Sequence, residues 1–212
     1  MFSLENHFTF ASWAILLSVF FDGLDGQIAR MNPLPSEFGK ELDSLVDVVS
    51  FGIAPSILGY TFIYKDFYLF ASLALFIYLF CSVMRLARYN ITPKESLVNC
   101  FYGLPTTASG GTLASFILIY RKKGLIEIPQ FVPVVFVFMI LVLSLLMISN
   151  VRYLNLDGLK QFFGKNTFWV ALVLGIIVII SFLFKKAGIV FFCLFLIYLI
   201  FSPFVVKRLN NL

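Results

Sequence analysis

The 212-residue sequence is 60% hydrophobic and 13% charged, includes 27 Phe, and carries a net charge of +5. A soluble domain is near half apolar and a quarter charged, so this composition excludes a water-soluble globule and indicates an integral membrane protein. The basic residues are scattered through short loops without a basic stripe, which suits anionic lipid headgroups and phosphates and excludes a nucleic-acid surface.

A helix needs roughly 20 apolar residues to cross a bilayer. In chain order the expected spans are Phe8–Arg30, Asp43–Ile63, Phe67–Ala87, Leu104–Tyr120, Phe131–Asn150, Phe168–Phe184 and Ile189–Val206. None alternates apolar and polar residues in ten-residue blocks, so the expectation is an all-α polytopic bundle of about seven spans, one integral membrane domain over 1–212, with no sheet. Met1–His7 lacks a basic stretch and no small-residue cleavage site follows the first apolar run, so no cleavable leader is expected. Trp, Tyr and Lys near span ends read as interfacial belts.

Seven spans put the termini on opposite sides. With the loop after the first span in the cytoplasm, Arg30, Lys40, Arg85, Arg88, Lys94, Arg152, Lys160, Lys165, Lys207 and Arg208 lie inside. Lys65, Arg121, Lys122, Lys123, Lys185 and Lys186 lie outside. This excess of positive charge favours that orientation, although Arg121-Lys122-Lys123 opposes it. Asn90-Ile91-Thr92, a glycosylation sequon by pattern, would then face the cytoplasm. His7 is the only histidine, which excludes histidine triads and HExxH zinc sites. Cys81, Cys100 and Cys193 form no CxxC pair and read as small helix-packing residues.

The polar exception is FFDGLDGQIARMNPLPSEFGKELDSLVDVVS, Phe21–Ser50. On a helix Asp22 and Asp25 are three apart, and Gly26 and Ala29 each follow one of them by four, so all four share a face. Asn32-Pro33 and Pro35 end that helix. A second helix then sets Gly39, Asp43 and Asp47 in one stripe, each four from the next. Packing the two stripes together brings four carboxylates toward one point, with Gly and Ala leaving a groove beside them. One Asp inside a bilayer costs about 2.5–3.5 kcal/mol, and converging anions repel unless protonated or neutralised. All-oxygen ligation points to Mg²⁺, Mn²⁺ or Ca²⁺ in preference to zinc. Asp22 lies roughly 20 Å along its helix at 1.5 Å per residue, near the cytoplasmic interface, where a lipid headgroup and a water-soluble substrate both have access. Solvated carboxylates at helix ends would account for Glu37 and Glu41, but not for the register kept on both sides of the proline turn.

This stretch, Asp22–Asp47, resembles the signature D-x2-D-G-x2-A-R-x8-G-x3-D-x3-D of the CDP-alcohol phosphatidyltransferases, matched without a gap. The resemblance implies transfer of a phosphatidyl group from a CDP-lipid to an alcohol, with release of CMP. It implies metal ligation by Asp22, Asp25 and Asp43, with Asp47 also at the metal and acting as general base. Gly26, Ala29 and Gly39 would let the nucleotide approach the backbone, and Arg30 would face phosphate. Mg²⁺ or Mn²⁺ is the expected cofactor and Ca²⁺ a non-productive ligand. The resemblance also implies a homodimer and a further helix ahead of the acidic one, which this sequence begins too late to supply.

DSLVDVVSFGIAPS (Asp43–Ser56), RLARYN (Arg85–Asn90), FYGLP (Phe101–Pro105) and SNVRYL (Ser149–Leu154) each resemble the membrane-integrated phosphatidylserine synthases. That implies CDP-diacylglycerol and L-serine as substrates, in a bacterial inner membrane with the site facing the cytoplasm. Arg85 and Arg88, at the cytoplasmic end of the third span, are candidates to hold phosphate or a serine carboxylate; the competing role is positive-inside anchoring, which also suits Arg152. Glycerol 3-phosphate or an inositol phosphate as acceptor would call for a denser basic pocket. A prenyltransferase should carry two separate Asp-rich motifs, and the Arg152–Lys165 loop holds only Asp157. A divalent-cation transporter gives no reason for the Gly-Ala-Arg spacing and should carry a second broken helix.

Overall fold

The structure, a computed structural model, describes residues 7–31, 37–63, 68–92, 100–121, 129, 131–155 and 186–209, with isolated positions between 158 and 181. The described part of helix α1 (Phe8–Met31) reaches to two residues before Pro33, where a proline disfavours further helix. Helix α2 (Glu37–Asp47) runs through a π-helical segment, Val48–Ile53, into α3 (Ala54–Ile63). Asp47 and Ala54, which flank the π segment, are both helical, and the Ala54 N–H donates to the carbonyl of Val49, five residues back. The long helix α4 (Tyr68–Ile91) follows, then strand β1 (Cys100–Tyr102) and helices α5 (Thr106–Arg121) and α6 (Phe131–Ile148). Strand β2 (Arg152–Leu154) and helix α7 (Ala187–Leu209) complete the described elements.

The fold is an all-α polytopic bundle. Five stretches among the described residues are long and apolar enough to cross a membrane: Phe8–Gly26, Glu41–Ile63, Leu69–Ile91, Phe131–Ile148 and Ala187–Arg208. They correspond to five of the seven expected spans. The expected span Leu104–Tyr120 is α5, 16 residues as described. The expected span Phe168–Phe184 falls largely outside the described residues. Large apolar side chains such as Phe10, Leu69, Phe76, Phe138, Leu145 and Phe204 are exposed along the outer faces, as lipid contact requires and water does not tolerate.

Helix α5 is the central element. Every residue from Ala108 to Leu118 is buried, and α1, α3 and α7 all pack on it. Its hydroxyls turn back on their own helix: Ser109 donates to the Thr106 carbonyl (2.8 Å), Thr112 to Ala108 (2.6 Å) and Ser115 to Thr112 (3.0 Å). Buried polar atoms are thereby satisfied without interrupting the helix–helix contacts. Phe62, Phe116 and Phe136 cluster with ring centroids 5.2–6.5 Å apart at the end of α5 away from the aspartates.

The expectation of no sheet is corrected by one small element. Strands β1 and β2 pair antiparallel, with Cys100 opposite Leu154, Phe101 opposite Tyr153 and Tyr102 opposite Arg152. The segment leading into α5 and the segment leaving α6 meet side by side at one end of the bundle. Pairing satisfies backbone groups that burial would otherwise leave unbonded. Gly103 follows β1 at φ +77°, and a Cβ there would overlap the Met147 carbonyl and the Arg88 guanidinium. Left-handed backbone costs a non-glycine residue about 1–2 kcal/mol before any steric term. Gly103→Ala is therefore expected to destabilise by at least that amount, measured as a lowered unfolding temperature in detergent.

Candidate active site

Helix α2 is regular from Glu37 to Asp47, so Asp43 and Asp47 stand one turn apart on one face. That face meets the end of α1 that carries Asp22. One carboxylate oxygen from each of Asp22, Asp43 and Asp47 lies within 4.8 Å of the other two, with Asp22 and Asp47 half-buried and Asp43 exposed. Three acidic oxygens at that separation form a donor set suited to a hard divalent cation. Asp25 is exposed and stands outside this trio, because three residues turn an α-helix by 60° less than a full revolution. It remains close enough for its charge to act on Asp22 and Asp43.

Gly26, one turn beyond Asp22, is exposed, and a Cβ on it would meet no atom within 4 Å, so the backbone beside the trio is open to a ligand. Gly39 is likewise exposed on α2. Ala29 and Arg30 belong to the last turn of α1, and their side chains lie outside the described residues.

Arg85 and Arg88, three residues apart on α4, have different surroundings. Arg88 is held by backbone carbonyls. Its Nη1 donates to Ile148 (2.7 Å), and its Nη2 to Tyr102 (2.9 Å), Met147 (3.0 Å) and Ser149 (3.2 Å). These carbonyls come from the start of FYGLP and from the end of α6 leading into SNVRYL, so three of the segments singled out in the sequence meet at this one side chain. The expectation that Arg88 binds a ligand is not favoured by this geometry, since both terminal nitrogens are occupied.

Arg85 is 7% exposed, with its guanidinium over the rings of Tyr89 (5.5 Å) and Phe101 (5.8 Å). Its Nη1 makes one long contact to Thr106 Oγ1 (3.4 Å), and its Nε is buried with no hydrogen-bond partner among the described residues. The charge of Asp47 attracts it. Aromatic faces hold the cation in place without consuming its N–H groups, so donors remain for an anion. A further bond ties the site together: Asn90, at the end of α4, donates through Nδ2 to Ser44 Oγ (3.0 Å), between Asp43 and Asp47.

Sequence reasoning missed the π segment and Tyr78. The Tyr78 hydroxyl donates to the Phe51 carbonyl (2.8 Å) inside that segment and contacts Ser109 Oγ (3.0 Å). The available signal was position, because Tyr78 stands in mid-span, where an interfacial belt residue would not.

These features define a helical membrane protein with a candidate metal centre at one end of its bundle. Residues 1–148 match the CDP-alcohol phosphatidyltransferase family, and the chain belongs to that family. It is 33% identical over 159 residues to a CDP-diacylglycerol–serine O-phosphatidyltransferase of Helicobacter pylori, covering 75% of this chain and 66% of the relative. It is 35% identical over 139 residues to a protein of the same name from Methanocaldococcus jannaschii, covering 66% and 61%. An archaetidylserine synthase of Methanothermobacter thermautotrophicus is 34% identical over 161 residues, covering 75% and 64%. The chain thus spans about two thirds or less of the length of these relatives.

Hydrogen bonds to a charged group contribute about 1.5–3 kcal/mol each, and a lysine cannot reach four carbonyls on two segments at once. Arg88→Lys is expected to lower stability by about 2 kcal/mol or more, seen as a lower unfolding temperature, whereas Arg85→Lys should leave that temperature nearly unchanged and weaken substrate binding.

Proposed function

We propose that this protein transfers the phosphatidyl group of CDP-diacylglycerol to the hydroxyl of L-serine, giving phosphatidylserine and CMP, at the cytoplasmic face of a bacterial inner membrane. The observation that carries this reading is the trio Asp22, Asp43 and Asp47, with oxygens within 4.8 Å, beside the buried and incompletely bonded guanidinium of Arg85. Serine as acceptor is supported by the relatives, whose names share serine while differing in the lipid. The charge bias of the loops supports the cytoplasmic orientation. A homodimer is part of the reading by family resemblance.

Asp22, Asp43 and Asp47 would hold Mg²⁺ or Mn²⁺, with Asp25, the fourth ligand expected from the sequence, close by and Ca²⁺ as a non-productive ligand. A divalent ion held by these carboxylates would supply positive charge against the diphosphate and the departing CMP. Arg85 offers its free donors to a lipid phosphate or to the serine carboxylate. By family resemblance, open backbone at Gly26, with Ala29 and Gly39, would admit the nucleotide, and Arg30 would serve the phosphate. Asp47 accepts the proton of the serine hydroxyl as its oxygen attacks phosphorus, and the bond from phosphorus to the CMP oxygen breaks. A direct displacement needs no covalent enzyme intermediate. In line with that, burial pushes the Cys100 thiol up, against the pull of Arg152, so this cysteine is no ready nucleophile.

The deciding experiment supplies purified protein with CDP-diacylglycerol and radiolabelled serine. Label is expected in lipid, with EDTA abolishing the reaction and Mg²⁺ or Mn²⁺ restoring it; full turnover in metal-free buffer would overturn the site as drawn. Asp47→Asn is expected to lower kcat by about 10²–10⁴-fold, the usual contribution of a general base, with CDP-lipid binding nearly intact. A variant within a few-fold of wild type would place the base elsewhere.

A further inference from the structure

Four buried polar contacts and one longer-range electrostatic attraction form a ring around one side of the site. Asp47 leads directly into the π segment, whose Phe51 carbonyl accepts from Tyr78 (2.8 Å). The Tyr78 hydroxyl, its own proton on Phe51, accepts from Ser109 Oγ (3.0 Å), whose one proton is shared with the carbonyl of Thr106 (2.8 Å). Thr106 Oγ1 accepts from Arg85 (3.4 Å), and the Arg85 charge attracts Asp47. Tyr78 and Ser109 are fully buried, and Thr106 is 1% exposed. The π segment also sits hard against α4, where a Cβ on Gly52 would come within 2.6 Å of Ser82 Oγ.

A π turn leaves carbonyls displaced from the regular ladder, and such turns recur at functional sites because the surrounding structure must hold them. Tyr78 supplies that hold for Phe51, four residues beyond Asp47. The other branch of the same network fixes Thr106, the one side chain among the described residues that bonds Arg85. We infer that Tyr78, acting through the Phe51 carbonyl on one side and through Ser109 and Thr106 on the other, is a positioning residue that sets Asp47 and Arg85 relative to each other. This rests on the proposed roles of Asp47 and Arg85, and it adds a residue that touches neither substrate nor metal.

The test is a double-mutant cycle on the full-length protein in detergent, with Tyr78→Phe, Arg85→Lys and the double variant. Serine transfer and Mn²⁺ affinity, by paramagnetic resonance of the free ion, are both measured. A single buried hydrogen bond corresponds to about a three- to tenfold effect. Tyr78→Phe is accordingly expected to lower kcat by about that factor, with KM for CDP-diacylglycerol nearly unchanged. In the Arg85→Lys background the same change should cost less than about twofold. The two residues are seven apart, about 10 Å along α4, where unrelated effects simply add. An equal loss in both backgrounds, or no loss in either, overturns the inference. Should Tyr78→Phe not fold, Ser109→Ala cuts the ring while leaving the Tyr78–Phe51 bond, and the same cycle decides.

Failure of the functional reading is separable. If the wild type incorporates no serine, the Mn²⁺ measurement decides: binding weakened about threefold by Tyr78→Phe sustains the positioning role, and unchanged affinity overturns it. A wild type that binds no Mn²⁺ removes the metal centre and the inference together.

Discussion

Like charges brought together where water cannot fully screen them are the constraint around which this end of the molecule is built. Three carboxylate oxygens within 4.8 Å repel strongly at reduced dielectric, so the arrangement needs a shared proton or positive charge in reach. The chain supplies part of it from the third apolar helix, in Arg85. The remainder is the natural place of a divalent cation. Regular α-helix at Glu37–Asp47 and an α1 that persists past Asp22 are what hold the anions in this arrangement.

Arg85 performs that task because of how it is held. Most buried guanidinium groups are bonded through their N–H donors, which leaves nothing for a ligand. Here two aromatic faces and one long bond to Thr106 confine it, and the hydrogen-bonding work is done one turn later by Arg88. Four carbonyls gathered on Arg88 fix the end of α6 and the Tyr102–Gly103 corner against α4. That corner carries Phe101, one of the two rings on Arg85. The structural arginine thus sets the floor on which the candidate binding arginine rests.

A similar division runs through the second long helix. Its first part keeps α-helical register, which the aspartate spacing demands, and the register changes immediately afterward in the π segment. Close contact of Gly52 with Ser82 and the Tyr78 bond to Phe51 are what the altered register makes possible. Packing in a membrane bundle depends on such close approaches and shared hydroxyls, because apolar side chains gain little by leaving lipid for protein.

The sequence alone determined the membrane class, five of the crossing helices and the convergence of Asp22, Asp43 and Asp47, with Asp25 wrongly expected among them. Each follows from local rules: apolar length sets a span, and four-residue spacing makes a stripe. Tertiary structure alone decided the different fates of Arg85 and Arg88, which sit three apart in a single motif. It also decided the exposure of Asp25, the β1–β2 pair and the π segment with its Tyr78 support. None of these is written in local spacing, because each depends on which carbonyl, ring or strand another part of the chain brings alongside.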